Sequence, residues 1–130
     1  MKPADPYHAH IYYRLEDRML AEQLQQDLFK SHKDGSLPEL SYIGKLRDFK
    51  VGPHPLPQFE IHFTQSVLAK ITEILKASGL TVLLHPLTDN DLADHTSLAT
   101  WIGQPLDLDL TVLDPPGKNQ GIARFSKTDF

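Results

Sequence analysis

The sequence predicts an α+β fold in which two helices cover one face of an antiparallel sheet. The first observation is the alternation of side chains in residues 7–13 and 59–63, which is typical of strands with two different faces. The second is the helical spacing of apolar residues in 16–32 and 64–79, where a glycine marks each helix end. Together with weaker strand signals, these segments give the order βαββαβ, the split βαβ pattern of ferredoxin-like domains.

The strongest strand and helix signals define two pairs of elements. Residues 7–13 are predicted as a strand with Ala9, Ile11 and Tyr13 on one face and His8, His10 and Tyr12 on the other. Residues 59–63 repeat the pattern, with Phe59, Ile61 and Phe63 opposite Glu60 and His62. The helices between the strands should cover the apolar faces. The histidine-bearing faces should therefore lie on the side of the sheet without helices.

The remaining segments are predicted from shorter patterns. Residues 41–51 form a weaker strand, and residues 80–84 form an apolar strand that stops at His85 and a proline. The alternating leucines and aspartates of residues 106–112 predict a C-terminal edge strand. Residues 1–130 are predicted to form one domain, with a core over about 7–113 and a surface tail over 114–130.

Composition excludes several classes of function. The chain has no cysteine, which excludes disulfides, zinc ribbons and thiol catalysis. Its net charge of −4 gives no basic footprint for nucleic acid. No apolar run is long enough to span a bilayer, and the first residues lack the apolar region of a signal peptide. We therefore expect a cytoplasmic protein that binds a small molecule and not a membrane.

Five of the seven histidines fall in motifs that resemble strands or strand ends. In the predicted topology the first strand is central, with the third and fourth strands antiparallel on either side. This topology places His85 near His8, at the start of the first strand, and His62 near the same end of the sheet. His54 is expected at the opposite end of this face. Neutral imidazole is the commonest protein ligand of metals, so these side chains predict a metal site built from nitrogen and oxygen ligands.

The same motifs, in the same order, resemble the DOPA 4,5-dioxygenase family. They are YHAHIY at 7–12, GPHP at 52–55, FEI at 59–61, GLTVLLHP at 79–86, DH at 94–95 and ATWIG at 99–103. The resemblance implies a ferredoxin-like fold, often dimeric, and extradiol cleavage of a catechol by non-haem Fe(II) and O2. It also implies a homodimer, in which the sheet face that carries the histidines is the natural dimer face.

Within this resemblance we expect His8, His10 and His85 to bind the metal. His54 and His95 are expected to act as acid or base, or to orient the substrate. Spacing alone does not separate these roles, and Glu60 or Asp94 is an alternative carboxylate ligand in place of one histidine. Two other functions stay open: a non-oxidative enzyme that uses zinc, and a non-catalytic dimeric binding module whose histidines are structural or sense pH.

Overall fold

The computed structural model describes residues 2–126 and shows a five-stranded antiparallel sheet in the order β2-β3-β1-β4-β5. The strands are β1 Pro6–Tyr12, β2 Tyr42–Ile43, β3 Gln58–Thr64, β4 Thr81–Pro86 and β5 Thr100–Ile102. The helices are α1 Arg18–Lys33, α2 Leu68–Ala77, α3 Asp91–His95 and α4 Gly121–Arg124. The predicted α+β class is confirmed.

The first strand lies at the centre of the sheet, as the sequence predicts. β1 pairs antiparallel with β3 on one side and with β4 on the other. Its residue His8 is opposite His62 in β3 and opposite His85 in β4. Side chains of directly opposed residues project from the same face of a sheet, so this register places three imidazoles side by side.

The two long helices cover the apolar face of the sheet. Leu24 and Leu28 of α1 and Ile71 and Leu75 of α2 are buried there. They join one cluster with the apolar strand residues, all of which were predicted to face the helices: Ala9, Ile11, Tyr13, Phe59, Ile61 and Phe63. Among residues 2–126, no helix has the length and apolar character required to cross a membrane.

The second strand is much shorter than residues 41–51. Only Tyr42–Ile43 forms a regular ladder with β3, and Arg47 rejoins β3 opposite Gln58 as an isolated bridge. Between these two contacts the chain advances by four residues, from Ile43 to Arg47, whereas β3 advances by three residues, from Ile61 to Gln58. One extra residue on one strand is a β-bulge, which ends the regular pairing.

The fifth, edge-lying strand exists, but residues 106–112 do not form it. Thr100–Ile102 pairs with β4 instead, and Leu110–Val112 is a turn of 3-10 helix. The Asp109 carboxylate accepts hydrogen bonds from the backbone N–H and the hydroxyl of Thr111, at 3.1 and 2.6 Å. Aspartate side chains that bond the nearby backbone compete with strand pairing, which explains why the alternation misled the prediction.

The C-terminal segment is not a simple surface tail. Asn119 is buried, and its side-chain amide donates to the Asp94 carboxylate and to the Thr88 carbonyl. Further on, the ring of Phe125 stacks against His62, with 5.4 Å between ring centroids. The segment therefore folds back over the histidine face, while residues 127–130 of the predicted tail lie outside the described residues.

Candidate functional site

The sheet face opposite the long helices is lined with buried polar side chains. His8, His10 and His85 are each at most 5% exposed, and they come from two adjacent strands. Glu60 lies opposite His10 on β3, and two residues away His62 is fully buried. As the strand alternation predicts, these imidazoles and one carboxylate lie together on a single face of the sheet.

The chain's own loops cover this face and leave a cavity of about 330 Å³. This volume lies near the lower end of the range for small-molecule sites, roughly 300–1,000 Å³. Its polar lining includes His8, His10, His54, Gln58, Glu60, His85, Asp91, His95 and Asn119, and its apolar lining includes Val51, Leu87, Val112 and Leu113. The face is thus closed within one chain, and no partner subunit is needed to bury it.

Three imidazoles lie close enough together to hold one metal ion. One ring nitrogen each from His8, His10 and His85 lies within 4.8 Å of the other two. In all three rings Nδ1 faces an oxygen acceptor: Gln58 Oε1 lies 3.2 Å from His10, the Pro86 carbonyl 2.7 Å from His85, and Glu60 Oε2 3.4 Å from His8. Ligand histidines characteristically donate this second N–H to such oxygens, which leaves Nε2 for the ion.

The Nε2 atoms themselves support the same interpretation. His8 Nε2 is buried and has no hydrogen-bond partner among residues 2–126. The Nε2 atoms of His10 and His85 face each other at 3.0 Å. A neutral His85 that donates from Nδ1 to a carbonyl has a lone pair on Nε2, so this pair of atoms presents electron density to one point. The three residues fit a divalent cation.

Burial keeps these rings neutral. Removal from water lowers the pKa of His8, His10 and His85 well below 6.5, and the neighbouring imidazoles lower it further. A metal competes with protons for the same lone pairs. The site is therefore already deprotonated near neutral pH, which favours metal binding.

A second group of possible ligands shares His8 with the first. Ligand atoms of His8, Glu60 and His62 also lie within 4.8 Å of one another. However, both ring nitrogens of His62 are engaged: Nδ1 accepts the Ser126 backbone N–H at 2.8 Å, and Nε2 lies 3.0 Å from Glu60 Oε2. His62 therefore holds Glu60 in place, and the first group is the better metal site. His8 in fact stacks more closely on His62, with centroids 3.9 Å apart, than on either predicted co-ligand.

His54 and His95 both line the cavity beside the three imidazoles. The expectation that His54 lies at the far end of the face is wrong, because its ring centroid is 4.2 Å from that of His10. The loop of residues 51–54 folds over the sheet, and the Tyr12 hydroxyl lies 2.6 Å from His54 Nδ1. His95, on α3, has its centroid 4.3 Å from that of His85.

Asp94 is not available as a metal ligand. Its Oδ1 accepts the Thr88 hydroxyl, and its Oδ2 accepts the Thr88 backbone N–H and the Asn119 amide. The residue is fully buried and does not line the cavity. Burial raises the pKa of this carboxyl, while the Thr88 hydrogen bonds lower it. Asp94 instead fastens the C-terminal segment to the loop that follows β4.

Several site residues were not identified from the sequence. Gln58 shares the alternation of Glu60 and His62, and this signal could have placed it on the same face, whereas Tyr12 was predicted on the histidine face but was given no role. Asp91 carries no such signal; its backbone carbonyl accepts from His95 Nδ1 at 2.8 Å, and its carboxylate accepts the Asp114 N–H. Asn119 belongs to the segment predicted as a surface tail, where no periodicity identifies it.

Comparisons with known sequences give one family match and two relatives. The sequence model described as the Dopa 4,5-dioxygenase family matches residues 7–112. The chain is 29% identical over 112 residues to DOPA 4,5-dioxygenase from Amanita muscaria, covering 82% of this chain and 49% of that protein. It is 26% identical over 117 residues to an uncharacterized 21.2 kDa protein from Botryotinia fuckeliana, covering 82% and 62%. The chain thus spans about half to three fifths of the length of these relatives.

A solved structure shares the fold. It is a protein from Nostoc punctiforme PCC 73102, proposed to be a dioxygenase, and it superposes with a TM-score of 0.73 at 27% sequence identity. The superposition covers 85% of this chain and 91% of that one. The two proteins therefore share most of their fold.

Proposed function

The chain belongs to the Dopa 4,5-dioxygenase family, and we propose that it is an extradiol dioxygenase that opens the ring of a catechol with O2. In this reaction a ring C–C bond next to one of the two hydroxylated carbons breaks, and both atoms of O2 enter the product. We propose that Fe(II) is held by His8, His10 and His85. The observation that carries the proposal is the convergence of three buried imidazoles whose Nδ1 atoms each face an oxygen.

A ferrous ion at this position would act as a Lewis acid toward the catechol and bring it together with O2. The protein supplies few ligands, and a site with free positions suits such chemistry. Gln58 Oε1 and the Pro86 carbonyl fix the direction of His10 and His85, since each accepts from one Nδ1, while Glu60 Oε2 faces Nδ1 of His8 at 3.4 Å. The site is thus oriented before the substrate enters, which reduces the reorganisation needed for reaction.

His95 and His54 are suited to different roles, His95 as a proton acceptor and His54 as a hydrogen-bond donor. His95 Nδ1 donates to the Asp91 carbonyl at 2.8 Å, so a neutral His95 has a lone pair on Nε2. The buried Tyr12 hydroxyl has His54 Nδ1 as its hydrogen-bond partner, at 2.6 Å, so donation from the phenol leaves the proton of a neutral His54 on Nε2. We propose that His95 accepts a proton from the catechol and that neutral His54 donates a hydrogen bond from Nε2 to a reacting oxygen, which orients it and stabilises its charge.

The cavity is matched to a single substituted aromatic ring. Its volume of about 330 Å³ excludes large ligands, and Val51, Leu87 and Val112 provide apolar walls. Arg124 also lines it, at the end nearest the C-terminal segment. The substrate class proposed here is a dihydroxyphenyl compound, either DOPA or another catechol of similar size.

The test is anaerobic loading with Fe(II), followed by a panel of catechols and air. We expect O2 uptake on an oxygen electrode and a yellow ring-opened product, and labelling with ¹⁸O2 should place both atoms in that product. The Zn(II)-loaded protein is the matched control, because zinc binds imidazole but does no redox chemistry. Absence of O2 uptake across the whole panel would contradict the proposal.

A zinc enzyme without redox chemistry is the second candidate. A ligand set of three histidines with no carboxylate suits zinc as well as iron. Metal content after purification without added metal, together with activity under nitrogen, separates the two functions. Turnover that persists without O2 would favour zinc.

We also propose that the chain forms a homodimer through the segments that cover the cavity. Several of their apolar side chains are more than two fifths exposed: Leu92, Leu98, Leu110, Val112 and Ile122. Exposed apolar residues that form one contiguous patch are typical of surfaces that contact another chain. Light scattering coupled to size-exclusion chromatography should give twice the mass of the chain, and Val112→Asp should lower it to the monomer value.

A further inference from the structure

A continuous series of polar contacts runs from the C-terminal segment to the buried ring of His8. The Ser126 backbone N–H donates to His62 Nδ1 at 2.8 Å. A backbone N–H can only donate, so Nδ1 must be the unprotonated nitrogen of a neutral His62. The proton of His62 then lies on Nε2, which donates to Glu60 Oε2 at 3.0 Å.

The series continues from Glu60 to the proposed metal ligand. The same Oε2 atom lies 3.4 Å from His8 Nδ1. A carboxylate can only accept, which favours the tautomer of His8 with its proton on Nδ1. The lone pair of His8 is then on Nε2, the buried atom that has no hydrogen-bond partner among the described residues.

The C-terminal segment is fixed in position over these rings. Phe125 lies nearly parallel to both imidazoles, with centroids 5.4 Å from His62 and 6.1 Å from His8. Ser126 has a φ of 63°, and its hydroxyl also contacts that of Ser41. A non-glycine residue with positive φ persists only where its surroundings hold it, and such residues cluster at functional sites.

We propose that Ser126 is a positioning residue for the metal site, acting through His62 and Glu60 on the tautomer and orientation of His8. This inference rests on the proposed function, because it takes His8 as a metal ligand. It goes beyond the family assignment, since the family match ends at residue 112 and Ser126 lies outside it. Partners of this kind typically contribute a factor of about 10–100 to metal affinity.

The decisive comparison is between Ser126→Pro and Ser126→Gly in the full chain. Both variants lose the contact with Ser41, but proline lacks the N–H that His62 accepts, and because its φ is fixed at about −65° it also cannot keep the positive φ that places residue 126 over His62. Glycine keeps the donor and tolerates a positive φ. We expect Fe(II) affinity, measured under argon by competition with a chromophoric chelator, to fall about 10–100-fold in Ser126→Pro and to stay within about 3-fold in Ser126→Gly.

A second variant and a second measurement keep the test independent of folding and of catalysis. His62→Phe retains the stacked ring but cannot bond Glu60, and it should weaken Fe(II) binding to the same extent. In the metal-free protein, ¹⁵N NMR should show the ring proton of His62 on Nε2 in Ser126→Gly. In Ser126→Pro the proton should no longer be confined to Nε2. Equal affinity in the two Ser126 variants, or an unchanged His62 tautomer, would overturn the inference alone. An unsubstituted chain that binds no Fe(II) would overturn the proposed function as well.

Discussion

The two faces of the sheet are almost equally buried, yet they are built from opposite kinds of side chain. Toward α1 and α2, the strand residues are apolar and at most 2% exposed: Ala9, Ile11, Tyr13, Phe59, Ile61 and Phe63. On the other face most strand residues are polar, with Leu83 opposite His10 as an apolar neighbour, and the polar ones are at most 8% exposed: His8, His10, Gln58, Glu60, His62 and His85. Burial alone therefore does not reveal which face carries the function.

The two faces differ in the free energy of transferring their side chains out of water. Apolar side chains gain roughly 25 cal/mol for each Å² removed from water, so the helix-covered face stabilises the fold. Each nitrogen of a buried imidazole needs a hydrogen-bond partner, and His8 Nε2 has none among residues 2–126. A face that costs stability in this way is typical of a functional site.

The largest expected difference between the faces is in folding stability. Phe63→Ala removes a fully buried ring from the apolar face and should lower the free energy of unfolding by about 3–5 kcal/mol. His85→Ala, on the same sheet but on the other face, should lower it by less than about 1.5 kcal/mol. Urea unfolding of the metal-free proteins measures both. Equal losses would show that the polar face is as important for stability as the apolar core.

Metal binding should give the opposite result for the two faces. We expect His85→Ala to weaken Fe(II) binding by more than the roughly 100-fold that loss of an indirect partner can cause. A conservative change in the apolar core, Ile61→Val, provides the matched control and should leave the affinity unchanged. Chelator competition under argon measures both variants. Full affinity in His85→Ala would remove this residue from the proposed ligand set.

The sequence was sufficient to predict this contrast, because it depends on local alternation. In β1 and β3 the side chains alternate without interruption. The alternation alone therefore assigns His8 and Glu60 to one face and Ile11 and Ile61 to the other. The position of His85 next to His8 followed from the order of the strands alone. Once the strand order is known, backbone hydrogen bonding determines which residues of adjacent strands lie side by side.

The covering loops could not be predicted in the same way. His54 reaches His10 because the loop of residues 51–54 folds over the sheet, and its conformation depends on contacts with distant residues, such as the bond from the Asp109 N–H to the Pro53 carbonyl. The return of Phe125 to His62 joins residues more than 60 positions apart. No periodic pattern in the sequence reports contacts of this kind.

Acid should destabilise the protein through the polar face. Burial lowers the pKa of His8, His10 and His85 well below 6.5, and that of His54 to about 3. Below pH 6.5 the unfolded chain binds protons that the folded chain does not, so the free energy of unfolding is highest above this pH and falls as pH decreases. Each histidine contributes a slope of up to about 1.4 kcal/mol per pH unit.

Urea unfolding of the metal-free protein between pH 7.5 and pH 5, at constant ionic strength, measures this slope. His54→Asn removes one of the buried imidazoles and should make the dependence shallower by at most about 1.4 kcal/mol per pH unit. A stability that does not change over this range would mean that the rings are protonated in the folded state.

Tyr12 and Tyr13 give the smallest and most direct comparison, because they are neighbours in sequence that project from opposite faces. The Tyr12 hydroxyl is 2.6 Å from His54 Nδ1, and the Tyr13 hydroxyl donates to Asp48 Oδ1 at the same distance. Replacing either by phenylalanine removes one hydrogen bond and should cost about 0.5–1.5 kcal/mol of stability. Only Tyr12→Phe also frees His54 to change its tautomer, so kcat should fall in this variant while KM for the catechol changes little. Tyr13→Phe should keep full turnover, and an equal loss of kcat in both variants would mean that Tyr12 acts only through stability.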